Sequence, residues 1–364
     1  IKECDWSSDV CSSDLALCFL LVLSVVLSSQ KRNQDVFKFP EYQMANTREI
    51  IRIPDIEGFK TMKCDFHTHT VFSDGHVSPV LRVNEAWSNG LDAIAITDHI
   101  EYRPFKEFMV ADHNKSNELA VAHGEKIGFI VIKGAEITRK KPIGHLNALF
   151  IKDANKLDVA DPVDAIKEAV GQGAFILWNH PGWPNDSTTL YDIHQQLITQ
   201  NLIHGVEVFN HSTWYPKVID WAMEYKLTVM ANTDMHQLTN TTYAAEKNAR
   251  PMTLVFVKEK SEAGIREALF AGRTLATFFN NVVGDESLIK SLIKASLITR
   301  VIDNKKSTIE VANHSDIEYT ITYGDVLVKL YPGKISRFNL KQNQRVTFNN
   351  CYTEGNKNIE MSLW

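Results

Sequence analysis

Cysteine is scarce and badly placed for cross-linking. The chain has 364 residues and five cysteines, three of which (Cys4, Cys11, Cys18) fall in the first 29. The remaining two, Cys64 and Cys351, are distant from each other and neither forms a CxxC pair, which excludes a disulfide scaffold. An excess of one charge is missing as well. Lys and Arg number 39 against 44 Asp and Glu, a net charge of -5, which moves to -2 when the first 29 residues are set aside. So balanced a chain carries no electrostatic footprint for nucleic acid or an anionic membrane. No GxGxxG follows the first strand-like run, and no P-loop or GxSxG occurs. Dinucleotide binding, P-loop phosphate binding and a serine nucleophile therefore lack their usual motifs. Repeats, low-complexity tracts and heptads are absent. Stability must come from a core, and about 335 residues can bury one.

Residues 15–29 hold the one long apolar stretch, LALCFLLVLSVVL from Leu15 to Leu27, closed by Ser28 and Ser29. It falls short of the roughly 20 residues that a membrane span needs and fits the h-region and cleavage zone of a secretory signal. A single anchor helix is the rival reading. The run before it, ECDWSSDVCSSDL (Glu3–Leu15), resembles a read-through translation of a sequencing-library adapter, so residues 1–14 are read as an artefact. The leader predicts an exported protein, periplasmic or extracellular, with no stable membrane insertion once the signal is cleaved.

Residues 30–60 are polar and aperiodic and read as a lead-in arm. From 61 to 285 short apolar runs (TMKCDF, LDAIAIT, GFIVIKGA, LNALFI, AFILWN, GVEVFN, LTVMANT, MTLVFV) alternate with helix-like segments. The glycines after AWSN and after KEAV are candidate helix caps. This rhythm predicts an α/β fold of parallel βαβ units, and about eight strands in some 220 residues suit a barrel better than an open sheet. Residues 290–364 change texture. STIEVANHS, IEYTITYG and VLVKLYPG alternate apolar and polar residues between turns, predicting a small antiparallel β module packed on the barrel.

What the chain has in quantity is metal-ligand chemistry at the ends of apolar runs. The series is His67, His69, Asp74, His99, Glu136, His145, His180, Asp234 and His236. Residues i and i+2 of a strand share a face, so His67 and His69 can grip one ion as the strand ends. Each cluster alone has a plain explanation as a turn or a cap. Independent turns, however, have no reason to place imidazole and carboxylate at nearly every strand end. His145 is the exception in placement, because it precedes its apolar run. A hairpin or a reversed strand could deliver it.

Together, HTHTVFSDG, ITDH, GAE, GHLN, NHP and DMH resemble the PHP (polymerase and histidinol phosphatase) family of metal-dependent phosphoesterases, over residues 61 to about 280. More narrowly, CDFHTHTVFSDG, HIEYRP, DHNKS, WNHPGW and the β-rich tail are similar to Sb-PDE-type phosphodiesterases. The resemblance implies a distorted (β/α) TIM-like barrel with two to three divalent ions (zinc, manganese or iron) at the C-terminal ends of its strands. By carry-over, His67, His69, Glu136 and Asp234 hold the first ion. Glu136 bridges to a second, completed by His145 and His180, and Asp74, His99 and His236 hold the third.

The chemistry implied is hydrolysis of phosphoesters, with phosphodiesters favoured, by a metal-bound hydroxide. The general acid is unassigned, since His236 and Asp234 as ligands are poor proton donors. Arg103 and Arg139 follow ligand clusters closely and are candidates to pair with the substrate phosphate. Tyr102, His113 and Trp183 are candidate pocket walls. The remaining histidines (His76, His123, His194, His204, His211, His314) read mostly as surface or packing residues. The partner expected is a small-molecule phosphoester, with no nucleic acid. Rival readings are a histidinol-phosphatase-type monoesterase, an exonuclease-like enzyme, and a non-catalytic metal- or carbohydrate-binding module.

Overall fold

In the computed structural model the described residues are 47–110, 112–243, 250–354 and 357–364. The adapter-like run, the apolar leader and most of the polar arm lie outside them. Among the described residues no helix is long and apolar enough to cross a membrane.

The first half alternates strand and helix: β1 (Lys60–Asp65), α1 (Pro79–Ser88), β2 (Ala93–Ile96), α2 (Lys115–Ile127), β3 (Ile130–Thr138), β4 (His145–Leu149), α3 (Pro162–Gly171), β5 (Phe175–Trp178), α4 (Asp192–Thr199) and β6 (Gly205–Asn210). Next come the short β7 (Thr213–Trp214), α5 (Pro216–Tyr225), β8 (Thr228–Asn232), β9 (Met252–Val257), α6 (Glu262–Phe270), β10 (Thr274–Phe278) and β11 (Asn281–Gly284). Local chemistry sets the helix ends. Ser78 caps Leu81 N ahead of Pro79, and Asp161 caps Val163 N and Asp164 N ahead of Pro162. Gly90, with φ +80°, closes α1 as expected of the glycine after AWSN. At α3 the cap is displaced. Gly171 is the last helical residue, and Gly173 at φ +90° makes the turn, with Ala174 N reaching back to Ala169 O. Only the second glycine stands where the helix needs a left-handed residue.

The barrel strands run in the order β10–β9–β1–β2–β3–β4–β5–β6–β8. Pairs β1/β2, β2/β3, β5/β6 and β6/β8 are parallel. The expectation of parallel units throughout fails at β4, which is antiparallel to both β3 and β5, and at β9, antiparallel to β1. The cause at β4 is length. Residues 139–144 are too few for a crossover, which needs a dozen or more, so the chain can only return as a hairpin. Strands β2, β5, β6, β8, β9 and β10 are buried along their whole lengths.

Hydroxyls rather than a ladder close the barrel. Thr253 Oγ1 donates to Ala231 O (2.9 Å) and accepts from Ala231 N (3.1 Å), tying β9 to β8. Thr274 Oγ1 of β10 donates to Val229 O of β8 at 2.7 Å.

After α7 (Glu286–Ser296), the tail comprises β12 (Leu297–Asp303), β13 (Thr308–Asn313), β14 (Tyr319–Tyr323), β15 (Val326–Leu330), β16 (Ile335–Asn339), β17 (Arg345–Glu354) and β18 (Lys357–Ser362). Strands β12, β13 and β16 form a separate three-stranded antiparallel sheet. The others extend the barrel's own sheet, because β17 pairs in parallel with β11 through Val282–Cys351 and Val283–Tyr352. One apolar core joins both parts, with Leu254, Phe256 and Leu275 of the barrel clustered with Ile309, Tyr319 and Phe348 of the tail.

Candidate metal centre

The nine residues of the ligand series meet at one end of the barrel. They form four overlapping clusters: His69/Asp74/His99/His236, His67/Glu136/His180, His67/His69/Asp234 and His99/Glu136/His145, with ligand atoms in each lying within 4.8 Å of one another. His67 and His69 leave the end of β1 with their Nε2 atoms 3.1 Å apart, and Asp234 Oδ1 lies 3.1 and 3.0 Å from them. Glu136 of β3 occupies the middle, its Oε2 2.7 Å from His99 Nδ1 and its Oε1 2.9 Å from His145 Nδ1. His236 Nε2 and His99 Nε2 approach Asp74 Oδ1 at 3.1 and 3.4 Å. The reversal of β4 explains His145. As the first residue of a returning strand it pairs with Thr138 and so stands at the same end as the other ligands.

Backbone strain collects here. Three non-glycine residues around the cleft have left-handed φ: His180 (+25°), His211 (+54°) and Asp234 (+51°). Such conformations persist only where the surroundings over-determine them. Beside Asp234 that restraint comes from Arg82 of α1, which is 2% exposed. Its guanidinium donates to the carbonyls of His69 (3.0 Å), Met235 (2.9 Å), His236 (3.1 Å) and Gln237 (2.9 Å), holding the two loops that carry five of the ligand candidates.

The electrostatics are those of a crowded cationic and anionic cluster. Burial disfavours every charge, yet at His99 the nearby carboxylates of Glu136 and Asp74 outweigh it and push the pKa up to about 10. Burial and the neighbouring His236 and His99 push His69 down to about 4. Glu136 is held well below the carboxylate range against its burial by His99, His145 and His67, and Asp234 likewise by His67 and His69. The residues fit divalent metal. Asp74 Oδ1, Glu136 Oε2 and His145 Nδ1 are buried with no hydrogen-bond partner despite close neighbours, so their lone pairs converge on shared space. Imidazole and carboxylate without thiolate suit zinc, manganese or iron.

A second layer, absent from the sequence reading, fixes the ligands. Glu207 of β6 is fully buried and accepts from His67 Nδ1 (2.9 Å), Asn232 Nδ2 (3.0 Å), Asn210 Nδ2 (2.8 Å) and His180 N (2.8 Å). A carboxylate behind a ligating imidazole sets its tautomer and raises its basicity. Asn179 Nδ2 donates to Glu136 Oε1 at 2.9 Å. Asp98 takes Thr70 N, Thr70 Oγ1 and Ser73 Oγ, with Ser73 Oγ 3.4 Å from His69 Nδ1. The one visible clue was Glu207 itself, a charge inside the apolar run GVEVFN.

Six of the ligand candidates (Asp74, His99, His145, His180, Asp234 and His236) line a cleft of about 650 Å3 whose other walls include Tyr102, Thr138, Trp183, His211 and Tyr215. Tyr102 and Trp183 thus stand where a pocket wall was expected, and His211 is a cleft residue that lacked any spacing partner. His113 is elsewhere, 3.5 Å from Asp158, and His194 and His204 pack against Trp178 and Phe175. Neither candidate arginine lines the cleft, although Arg139 lines a smaller cavity beside it. Arg103 donates Nε to Phe72 O and Nη2 to Val110 O, and Arg139 pairs with Glu101 at 2.8 Å and donates to Val159 O.

Comparison with known proteins agrees with this geometry. The PHP domain profile matches residues 65–249. A two-domain protein of Bacteroides vulgatus, containing a predicted PHP-like metal-dependent phosphoesterase, superposes with a TM-score of 0.83 at 38% identity, over 87% of this chain and 98% of that one. An uncharacterized protein of Methanocaldococcus jannaschii is 41% identical over 81 residues, 22% of this chain and only 36% of the relative's length. The profile, the structural match over 87% of the chain and the nine converging candidate ligands place this chain in the PHP family, with the fold of a PHP-like metal-dependent phosphoesterase.

Proposed function

We propose that this PHP-family phosphoesterase hydrolyses phosphodiesters in preference to monoesters, and that it does so outside the cytoplasm. The observation that carries the substrate choice is the cleft lining. Among the described residues, its walls contain six of the ligand series, aromatic rings and small polar groups but no Lys or Arg. A monoester is close to a dianion at neutral pH, and its second charge is commonly met by a guanidinium or ammonium. A diester carries one charge.

His67, His69 and Asp234 would hold one ion, Asp74, His99 and His236 another, and Glu136 with His145 and His180 a third. Divalent ions there supply Lewis acidity toward phosphoryl oxygens and a water of lowered pKa. The chain's own work is orientation. Glu207 keeps the His67 proton on Nδ1, leaving Nε2 free to coordinate, and Asn179 fixes the Glu136 carboxylate. Tyr102, Trp183 and Tyr215 narrow the cleft and exclude bulk water. The apolar leader supports export, and an exported enzyme meets scavenged diesters rather than biosynthetic monoesters.

The test is to strip the protein with a chelator, reload it separately with zinc, manganese or iron, and compare methyl 4-nitrophenyl phosphate with 4-nitrophenyl phosphate. The expected result is a higher kcat/KM for the diester that vanishes on stripping. Faster monoester turnover with every metal would overturn the diester preference.

A further inference from the structure

A second cavity of about 200 Å3 adjoins the cleft and shares His145, His180 and Trp183 with it. The Trp183 ring stands 5.0 Å from the His145 ring and 5.5 Å from the His180 ring. The partition between the two spaces is therefore a pair of metal-ligand candidates capped by an indole. Beyond it Pro142, Ile143, Trp178, Pro181 and Tyr191 give a mostly apolar surface, and Arg139, Lys140 and Lys141 line it as well. Asn179 adds a polar feature. It is 1% exposed, and its Oδ1 is buried with no hydrogen-bond partner among the described residues. The amide cannot turn over to satisfy that oxygen, because Nδ2 already donates to two acceptors, Glu136 Oε1 and Asn147 Oδ1, at 2.9 Å each.

We infer that this side cavity is a substrate subsite that takes the second ester group of a phosphodiester bound at the metal centre, and that it selects a planar aromatic group. The inference rests on the diester reading above. The two substituents of a diester diverge from phosphorus, so a group lying in the main cleft leaves the other needing a separate space beside the ligands. A cavity of roughly 150 Å3 suffices for benzene, so this one accepts a six-membered ring with room for a substituent. Trp183 supplies a face for stacking.

Binding is tested with two non-hydrolysable anions, diphenylphosphinate and methyl(phenyl)phosphinate, titrated calorimetrically into metal-loaded protein. The second ring is expected to tighten binding about tenfold, the weight of one aromatic contact. Trp183→Ala removes the stacking face that caps the partition, and Thr189→Phe fills the cavity from a wall without ligand candidates. Each should erase most of the gap and lower the kcat/KM ratio of bis(4-nitrophenyl) phosphate over methyl 4-nitrophenyl phosphate by a similar factor. Thermal melts establish that the variants are folded, and the two substitutions act on different walls. Equal binding of the two phosphinates by the wild type, or a gap that persists in both folded variants, would overturn the subsite. A gap in binding with no hydrolysis of either diester would overturn the diester reading while leaving an aryl-binding cavity in place.

Discussion

Replacing Glu207 by Gln isolates the contribution of the layer behind the ligands. The side chain keeps its size, but one carboxylate oxygen becomes an NH2. Both oxygens now accept from two donors: Oε1 from His67 Nδ1 and Asn232 Nδ2, Oε2 from Asn210 Nδ2 and His180 N. No rotation of the amide avoids a donor facing donors. His180 N is backbone and Asn232 is pinned by Phe66 N on its Oδ1, so a donor stays unpaired even though Asn210 can turn its amide over. His67 can adapt too, by moving its proton to Nε2, the nitrogen that lies 3.1 Å from Asp234 Oδ1 at the heart of the ligand cluster. That removes one coordinating lone pair. If the tautomer holds instead, each buried donor left without an acceptor costs about 1–3 kcal/mol. Loss of such a partner typically weakens metal binding about 10- to 100-fold, which is about 1.4–2.7 kcal/mol. Competition against a chromophoric chelator, with metal content by mass spectrometry, reads this directly. Glu207→Asp, which keeps an acceptor-only group, should recover part of the affinity. A Glu207→Gln protein with wild-type affinity and stoichiometry would refute the claim that this carboxylate sets the His67 tautomer.

Two further outcomes follow from the fold. His204 accepts Ile176 N–H on its Nδ1 at 2.9 Å and packs between Phe175 and Phe270, and burial, with Arg266 nearby, lowers its pKa to about 4. Because the folded value lies below the unfolded one, its stability contribution is complete above about pH 6.5 and is lost as pH falls toward 4. After allowance for partial exposure, His204→Asn should remove about 1–2 kcal/mol of the acid sensitivity between pH 7 and 4.5, measured by denaturant midpoints; parallel curves for the two proteins would contradict this. Truncation after residue 290 should leave an insoluble or molten barrel, since it strips Ile309, Tyr319 and Phe348 from a shared core and unpairs β11; a cooperative melt from the truncated chain would show the tail to be dispensable.

The ligand series was legible because each member but His145 terminates an apolar run, where a strand end meets solvent and polar residues are otherwise unneeded. Glu207 showed only as a charge inside an apolar run, and its role did not, because a strand buried on both faces loses the alternation that would say where the side chain points. The direction of β4 is invisible in LNALF, whose pattern reads the same either way. The six residues before it carried that information through their length alone. The tail's strands announced themselves by alternation, but nothing local says that β17 pairs with β11 rather than staying within its own module. Pairing partners are a property of the assembled core. Arg103 and Arg139 illustrate the limit of proximity in sequence, since both guanidiniums are occupied by backbone carbonyls or a neighbouring carboxylate.

Arg82 bears on how the centre meets its ions. A cation buried beneath the ligand loops, its pKa still about 10, fastens four carbonyls from two distant segments to one helix. The ligand atoms are thereby spaced by the polypeptide before any ion arrives, and the entropy of assembling them is spent during folding rather than at capture. Ions can then leave and be replaced without unmaking the scaffold, so which metal resides there is governed by what the surroundings supply.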